Sequence, residues 1–181
     1  MRCGLLGEKL GHSYSPALHA LFGDYDYELF EVSPDRLGDF LRVRDFQGLN
    51  VTIPYKTTML AICDDLTETA ATIGSVNTVL KQLDGSLLGD NTDAAGFEGM
   101  VWKSRIRILG RKCLVLGSGG ASLSAQYVLR KLGAGEVVVI SRTGENNYDN
   151  LDRHQDAAVI VNATPVGMYP NTAASPVDLR Q

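Results

Sequence analysis

The sequence predicts an α/β protein of two domains, residues 1–102 and 103–181. Three observations predict it. Short strand-like and helix-like segments alternate through the first domain. Near residue 103 a fresh strand–helix–strand pattern begins. The join between its first strand and helix is glycine-rich, "VLGSGGAS", as in a Rossmann-like fold.

The first segment, "MRCGLLG", reads as a strand. "SPALHALFGDY" follows as a helix, with Ser15 as N-cap, Pro16 at its first position and Leu18, Leu21 and Phe22 on one face. "YELFEV" is the next strand, and "SPDRLGDFLRV" repeats the Ser-Pro opening with Leu37, Phe40 and Leu41 as its buried stripe. "GLNVTI" is a strand that stops at Pro54, and "PYKTTMLAI" is expected to be helical, with Lys56 in its first turn. A cation is mildly disfavoured there, because exposed amides make that end electropositive. A lysine kept merely for solubility would more often be Asp or Glu. "SVNTVLKQ" and "GSLLGDN" form a hairpin about Asp84-Gly85, and "DAAGFEGMVWKS" is the helix that closes the domain.

In the second domain "KCLVLG" is a strand, "GGASLSAQYVLRKLG" a helix and "EVVVIS" a strand, with "AAVIVNA" as a third. Val137 to Ile140 are apolar at consecutive positions, as in a parallel strand buried on both faces. "TGENNYDNLDRHQD" is a polar loop with a short helix.

Composition narrows the function. A formal net charge of −4 and a pI near 5.3 argue against a nucleic-acid-binding surface, which needs clustered Lys and Arg. No apolar run reaches the ~18 residues that span a bilayer, and Gly, Glu and Lys interrupt the N-terminus, so the expected location is the cytoplasm. Cys3, Cys63 and Cys113 form no CxxC pair, and Cys3 and Cys113 are expected reduced and buried. The three histidines, His12, His19 and His154, lack metal-binding spacing, so no metal site is expected. His12 reads as a turn hydrogen-bonder.

Gly117 and Gly119 permit a tight turn that brings backbone amides to a pyrophosphate at a helix N-terminus. Ser122 holds the place of the third glycine of GxGxxG, and Gly120 is inserted earlier. A plain tight turn is the alternative. A carboxylate that binds the ribose 2′-hydroxyl of NAD usually ends the second strand. Here Ser141 and Arg142 stand there, Arg142 lying 25 positions after Gly117. A guanidinium suits a 2′-phosphate, hence NADP; a surface charge is the alternative for Arg142.

Four stretches together, "GHSYSPALH", "GLNVTIPYK", "SVNTV" with "GDNTDAAGF", and "VLGSGGAS…ISRT…VNATPVGMYP", resemble the successive motifs of shikimate dehydrogenases, in that family's order. The resemblance implies an enzyme that interconverts 3-dehydroshikimate and shikimate with NADPH, on the route to chorismate and the aromatic amino acids. By resemblance, Ser13 and Ser15 hold the substrate carboxylate, and Thr52, Lys56, Asn77 and Asp93 surround the ring hydroxyls. Lys56 and Asp93 form the catalytic pair. Glu68, Gly117, Ser118, Gly119, Gly120, Ala121, Ser141, Arg142 and Thr143 contact the nucleotide, and Asn162 to Met168 run beside the nicotinamide. Each also has a plainer reading. The two serines can be turn and cap residues, Asn77 can satisfy backbone at a strand end, and Asp93 can cap the helix from Ala94.

The family is longer, and its tail adds strands and a tyrosine and a glutamine near the substrate. This chain ends at "SPVDLRQ" and carries Asn146 where the family has a further basic residue. A C-terminally incomplete nucleotide domain is therefore expected, with an open sheet edge, as monomer or homodimer. A quinate/shikimate dehydrogenase of relaxed specificity and a truncated, non-catalytic ligand-binding fragment are the alternatives. A methylenetetrahydrofolate dehydrogenase-like enzyme fits "NVTIPYK" and "GDNTD" less well.

Overall fold

Alternating apolar residues set the strands of the first half of the chain. The computed structural model describes residues 1–11 and 13–178; His12 and the last three residues of "SPVDLRQ" lie outside them. The chain divides into two compact units, Met1–Thr92 and Asp93–Gln181, the helix from Asp93 going with the second, ahead of the boundary expected near residue 103.

The first unit runs β1 (Arg2–Gly7), α1 (Ser15–His19), β2 (Asp26–Glu31), a 3₁₀ turn (Pro34–Arg36) leading into α2 (Leu37–Val43), and β3 (Gly48–Val51). After a second 3₁₀ turn (Thr58–Ala61) come β4 (Asp65–Leu66), α3 (Glu68–Ile73), β5 (Thr78–Lys81) and β6 (Leu87–Asp90). The strands form one mixed sheet in the order β2-β1-β3-β5-β6-β4. β1 is parallel to both β2 and β3, so α1 and α2 lie in the crossovers that parallel pairing requires. β5 and β6 are the expected hairpin, with Gly85 at φ 87° in its turn. One sheet face, carrying Leu6, Leu49, Val51, Val79 and Leu87, packs on Leu37, Leu41, Phe46, Tyr55 and Met59. Each such buried aliphatic chain stabilises the unit by roughly 1.5–3 kcal/mol. Cross-strand partners on the other face include Cys3 with Tyr27 and Asn50 with Thr78.

The second unit runs α4 (Asp93–Ser104), β7 (Lys112–Leu116), α5 (Gly120–Lys131), β8 (Glu136–Ile140), a 3₁₀ segment (Tyr148–His154) and β9 (Val159–Asn162). Its sheet is parallel, in the order β8-β7-β9. Strand parity splits its core. Cys113 and Val115 pack with Ala125 and Leu129 of α5 and Phe97 of α4, whereas Leu114 and Leu116 pack with Val138, Ile140 and Leu151. The strand buried on both faces is thus β7, in the centre; Val137 and Val139 of β8, at an edge, are only half-buried.

Several local expectations are corrected. α1 ends at His19, Tyr14 rather than Ser15 holds its cap position, and Leu18, Leu21 and Phe22 are exposed. The chain turns at 20–22, so the apolar repeat never completes a second helical turn. Residues 54–62 form turns and a short 3₁₀ segment instead of an α-helix. The Lys56 carbonyl, which a helix would give to the amide at position 60, instead accepts from Val76 N at 2.8 Å. Lys56 is therefore not in a helix's first turn, and the electropositive end invoked for it is absent. Cys3 is only part-buried, whereas Cys113 is buried, and all three cysteines are free thiols. β4 and α3 were not anticipated, although Thr67 caps α3 by accepting from Ala70 N and Gly74 ends it at φ 74°. Asp93 is the first residue of α4 rather than its cap, a shift of the size that helix-end assignments allow.

Candidate active site

Polar residues gather where β3 ends and β5 begins. Val51 N donates to Asn77 O at 2.7 Å, and Val76 N to Lys56 O at 2.8 Å. These two bonds bring Thr52, Lys56 and Asn77 to one end of the sheet, although 20 residues separate Lys56 from Val76. All three side chains are shielded from solvent to some degree: Asn77 is buried, and Thr52 and Lys56 are half-buried.

Asn77 also fastens the next loop. Its Oδ1 accepts from Thr92 N at 2.8 Å, and its Nδ2 donates to Thr92 Oγ1 at 3.1 Å. Thr92 directly precedes Asp93, so a buried amide fixes the backbone from which that carboxylate projects. Asp90 and Asn91 complete the loop's anchorage: Thr67 Oγ1 donates to Asp90 Oδ1 at 2.6 Å, and Asn91 Nδ2 to Ser75 O at 2.8 Å. Glu68 is exposed in the first turn of α3, one residue beyond Thr67.

The serines flank the start of α1, Ser13 lying two residues before its first residue, Ser15. Ser13 Oγ donates to Ser15 Oγ at 3.1 Å and accepts from Ser15 N at 3.2 Å. On β2, Tyr27 Oη donates to Asn50 Oδ1 at 2.7 Å. Burial pushes the Tyr27 phenol up to about 12, against the opposing pull of the Ser15 hydroxyl. Tyr27 and Asn50 were missed at the level of sequence. Asn50 could have been found, because it precedes Thr52 by two and strand neighbours two apart share a face. Tyr27 left no local signal.

In the second unit β8 and β9 pair on opposite sides of β7. The chain's progress across the sheet reverses there, and open α/β sheets bind ligands outside the carboxyl ends of strands at such a switch. Gly117 stands at this point. Its N–H donates to Ile140 O at 2.8 Å, its φ is 107°, and a Cβ on it would lie 3.0 Å from Ala163 O. Ser118, Gly119, Gly120 and Ala121 carry the chain into α5, whose start has no side-chain cap, so its first amides point outward. Ser122 is fully buried and accepts from Gln126 Nε2 at 3.1 Å; a small side chain in the third glycine place preserves the close packing that glycine provides.

Ser141, Arg142 and Thr143 follow β8, Arg142 and Thr143 being exposed. Ser141 N donates to Asn146 O at 3.1 Å, closing the loop. After β9, Asn162 shapes the "NATPV" turn: its Oδ1 accepts from Thr164 N at 3.0 Å, and its Nδ2 donates to Val166 O at 2.9 Å. Among the described residues, no cluster of three or more His, Cys, Asp or Glu side chains could hold a metal ion, and no helix is long and apolar enough to cross a membrane.

These features define an α/β protein with a buried polar junction in one unit and a dinucleotide-type turn in the other. Comparison with known proteins narrows the class. The family described as "shikimate dehydrogenase substrate binding domain" matches residues 5–79. A shikimate dehydrogenase (NADP(+)) of Clostridium perfringens is 37% identical over 93% of this chain and 70% of its own. The solved shikimate dehydrogenase 1 of Peptoclostridium difficile superposes with a TM-score of 0.89 at 35% identity, over 98% of this chain and 72% of that one. Shikimate 5-dehydrogenase of Thermus thermophilus, solved with NADP(H) and shikimate, gives 0.84 at 36% identity, over 98% and 73%. The chain belongs to the shikimate dehydrogenase family.

Proposed function

We propose that this chain is an NADP-dependent shikimate dehydrogenase that reversibly reduces 3-dehydroshikimate to shikimate in the pathway to chorismate. The observation that carries the reading is the hydrogen-bonded junction that gathers Thr52, Lys56 and Asn77 and anchors the backbone before Asp93. Family membership agrees with it.

The nucleotide fits the second unit. A Cβ on Gly119 would meet nothing within 4 Å, which leaves a cradle beside the uncapped start of α5. Gly117, Ser118, Gly119, Gly120 and Ala121 hold the pyrophosphate, and Ser141, Arg142 and Thr143 take the ribose 2′-phosphate. Glu68 is assigned to the nucleotide by the family resemblance. NADPH, when bound, supplies the hydride. The protein's own residues orient the ring and provide the proton. Ser13 and Ser15 donate to the carboxylate, and Thr52, Asn77 and Asp93 hold ring hydroxyls. The Lys56 ammonium donates to the carbonyl oxygen, stabilises the negative charge that grows there and delivers the proton. The substrate is a small molecule, and neither nucleic acid nor membrane takes part. Free thiols support a cytoplasmic enzyme, working as monomer or homodimer.

The test is to purify the chain and follow NADPH consumption with 3-dehydroshikimate, then with dehydroquinate. Turnover of 3-dehydroshikimate at least about tenfold more efficient than that of dehydroquinate is expected. Equal efficiency would assign the relaxed quinate/shikimate activity instead, and no turnover of either would leave a ligand-binding fragment.

A further inference from the structure

We propose that Tyr27 is a positioning residue of the substrate pocket, fixing which hydrogen-bonding group Asn50 presents. The inference rests on the shikimate-binding reading above and adds to it a residue outside the motif stretches that carry the family resemblance.

One bond sets the direction. Tyr27 Oη donates to Asn50 Oδ1 at 2.7 Å. A side-chain amide can rotate by half a turn and exchange its oxygen for its nitrogen, and the two orientations differ only in their partners. A phenol that donates selects the one with Oδ1 toward Tyr27. The Asn50 Nδ2 is then left as a donor on the face that β3 shares with Thr52, which is what a ring hydroxyl or carbonyl oxygen would need. The phenol keeps its proton throughout the physiological range, so it remains able to donate to Asn50.

The tyrosine is itself held in place. His19 of α1 stacks on its ring, with centroids 3.7 Å apart and planes 14° from parallel, and His19 Nδ1 lies 2.6 Å from Tyr25 Oη. The ring therefore has support that does not involve its hydroxyl. Removing the oxygen alone should leave the packing intact while freeing Asn50. That separates a positioning role from a merely structural one.

The experiment is Tyr27→Phe in the full chain, assayed in the direction of shikimate oxidation. Losing one hydrogen bond's orienting effect should raise KM for shikimate by about tenfold, with kcat changed less than about threefold and KM for NADP⁺ unchanged. Because Tyr27 acts through Asn50, Tyr27→Phe added to Asn50→Ala should cost nothing more. Asn50→Asp retains an acceptor for Tyr27 but loses the Nδ2 donors, and should raise the same KM even if Tyr27→Phe fails to fold. An unchanged KM in Tyr27→Phe, penalties that multiply in the double variant, or wild-type KM in Asn50→Asp would each overturn the proposal. A wild-type chain that oxidises shikimate while Tyr27→Phe matches it removes this inference alone. A wild-type chain that neither binds nor oxidises shikimate removes the functional reading and this inference together.

Discussion

Lys56 owes its place to a carbonyl rather than to its side chain. Once Val76 N takes the Lys56 carbonyl, the segment cannot continue as a helix, and Tyr55 and Met59 turn into the core on either side of it. The lysine is left half-buried at the end of the sheet beside Asn77. As the proposed proton donor, Lys56 is placed by backbone bonds and core anchors, an arrangement that tolerates loss of its own side chain. Lys56→Ala is therefore expected to fold normally and to lower kcat by about 10²–10⁴-fold, the usual contribution of a general acid. KM for shikimate should move only a few-fold, since the serines, Thr52 and Asn77 remain. Near-wild-type turnover would remove Lys56 from the chemistry, whereas a comparable rise in KM would recast it as a binding group.

At the scale of elements, the turn from β7 to α5 uses its glycines for two different reasons. Gly117 has a positive φ, with the Ala163 carbonyl pressed against it, while Gly119 has an ordinary φ of −83° and open space above its Cα. The fold requires the first; nothing within the chain requires the second. Gly117→Ala should cost about 1–3 kcal/mol of stability, read as a lower denaturation midpoint. Gly119→Ala should leave the midpoint alone and raise KM for NADP⁺, because its methyl enters the space a pyrophosphate needs. Equal effects on stability would refute this division. The glycine turn, its flanking strands and the residue at the end of β8 were legible because each is a local pattern: apolar runs broken by Gly, then a helix start. α3 was equally legible from Thr67 and Gly74 and was overlooked. Residues 54–62 were misread for a different reason. Their local pattern is helical, and the bond that overrides it comes from Val76, which no window on that segment contains. Tyr27 escaped for the same reason, its partner Asn50 lying on a separate strand.

For the whole molecule, each unit has its own core: Leu6, Phe46, Met59 and their neighbours in one, the two faces of β7 in the other. Proteins built from separate cores commonly depart from two-state unfolding. The proposed ligands are divided the same way, with shikimate's carboxylate and hydroxyl partners mostly in residues 1–92 and NADP⁺ mostly on residues 117–143. A ligand present at about 100 times its dissociation constant stabilises the state that binds it by about 2.7 kcal/mol. Thermal unfolding of the chain should therefore resolve two transitions that respond separately. Shikimate should raise the one reported by hydrogen exchange in β1, β3 and β5, and NADP⁺ the one reported by β7, β8 and α5. NAD⁺, lacking the 2′-phosphate that Arg142 is proposed to read, should raise the second transition less at equal concentration, and Arg142→Ala should erase that difference. A single transition shifted equally by either ligand would mean that the two cores unfold as one and that binding is not apportioned between them. A preference for NADP⁺ that survives in Arg142→Ala would transfer recognition of the phosphate to Ser141 and Thr143, whose hydroxyls are the remaining side-chain donors of that trio at the end of β8.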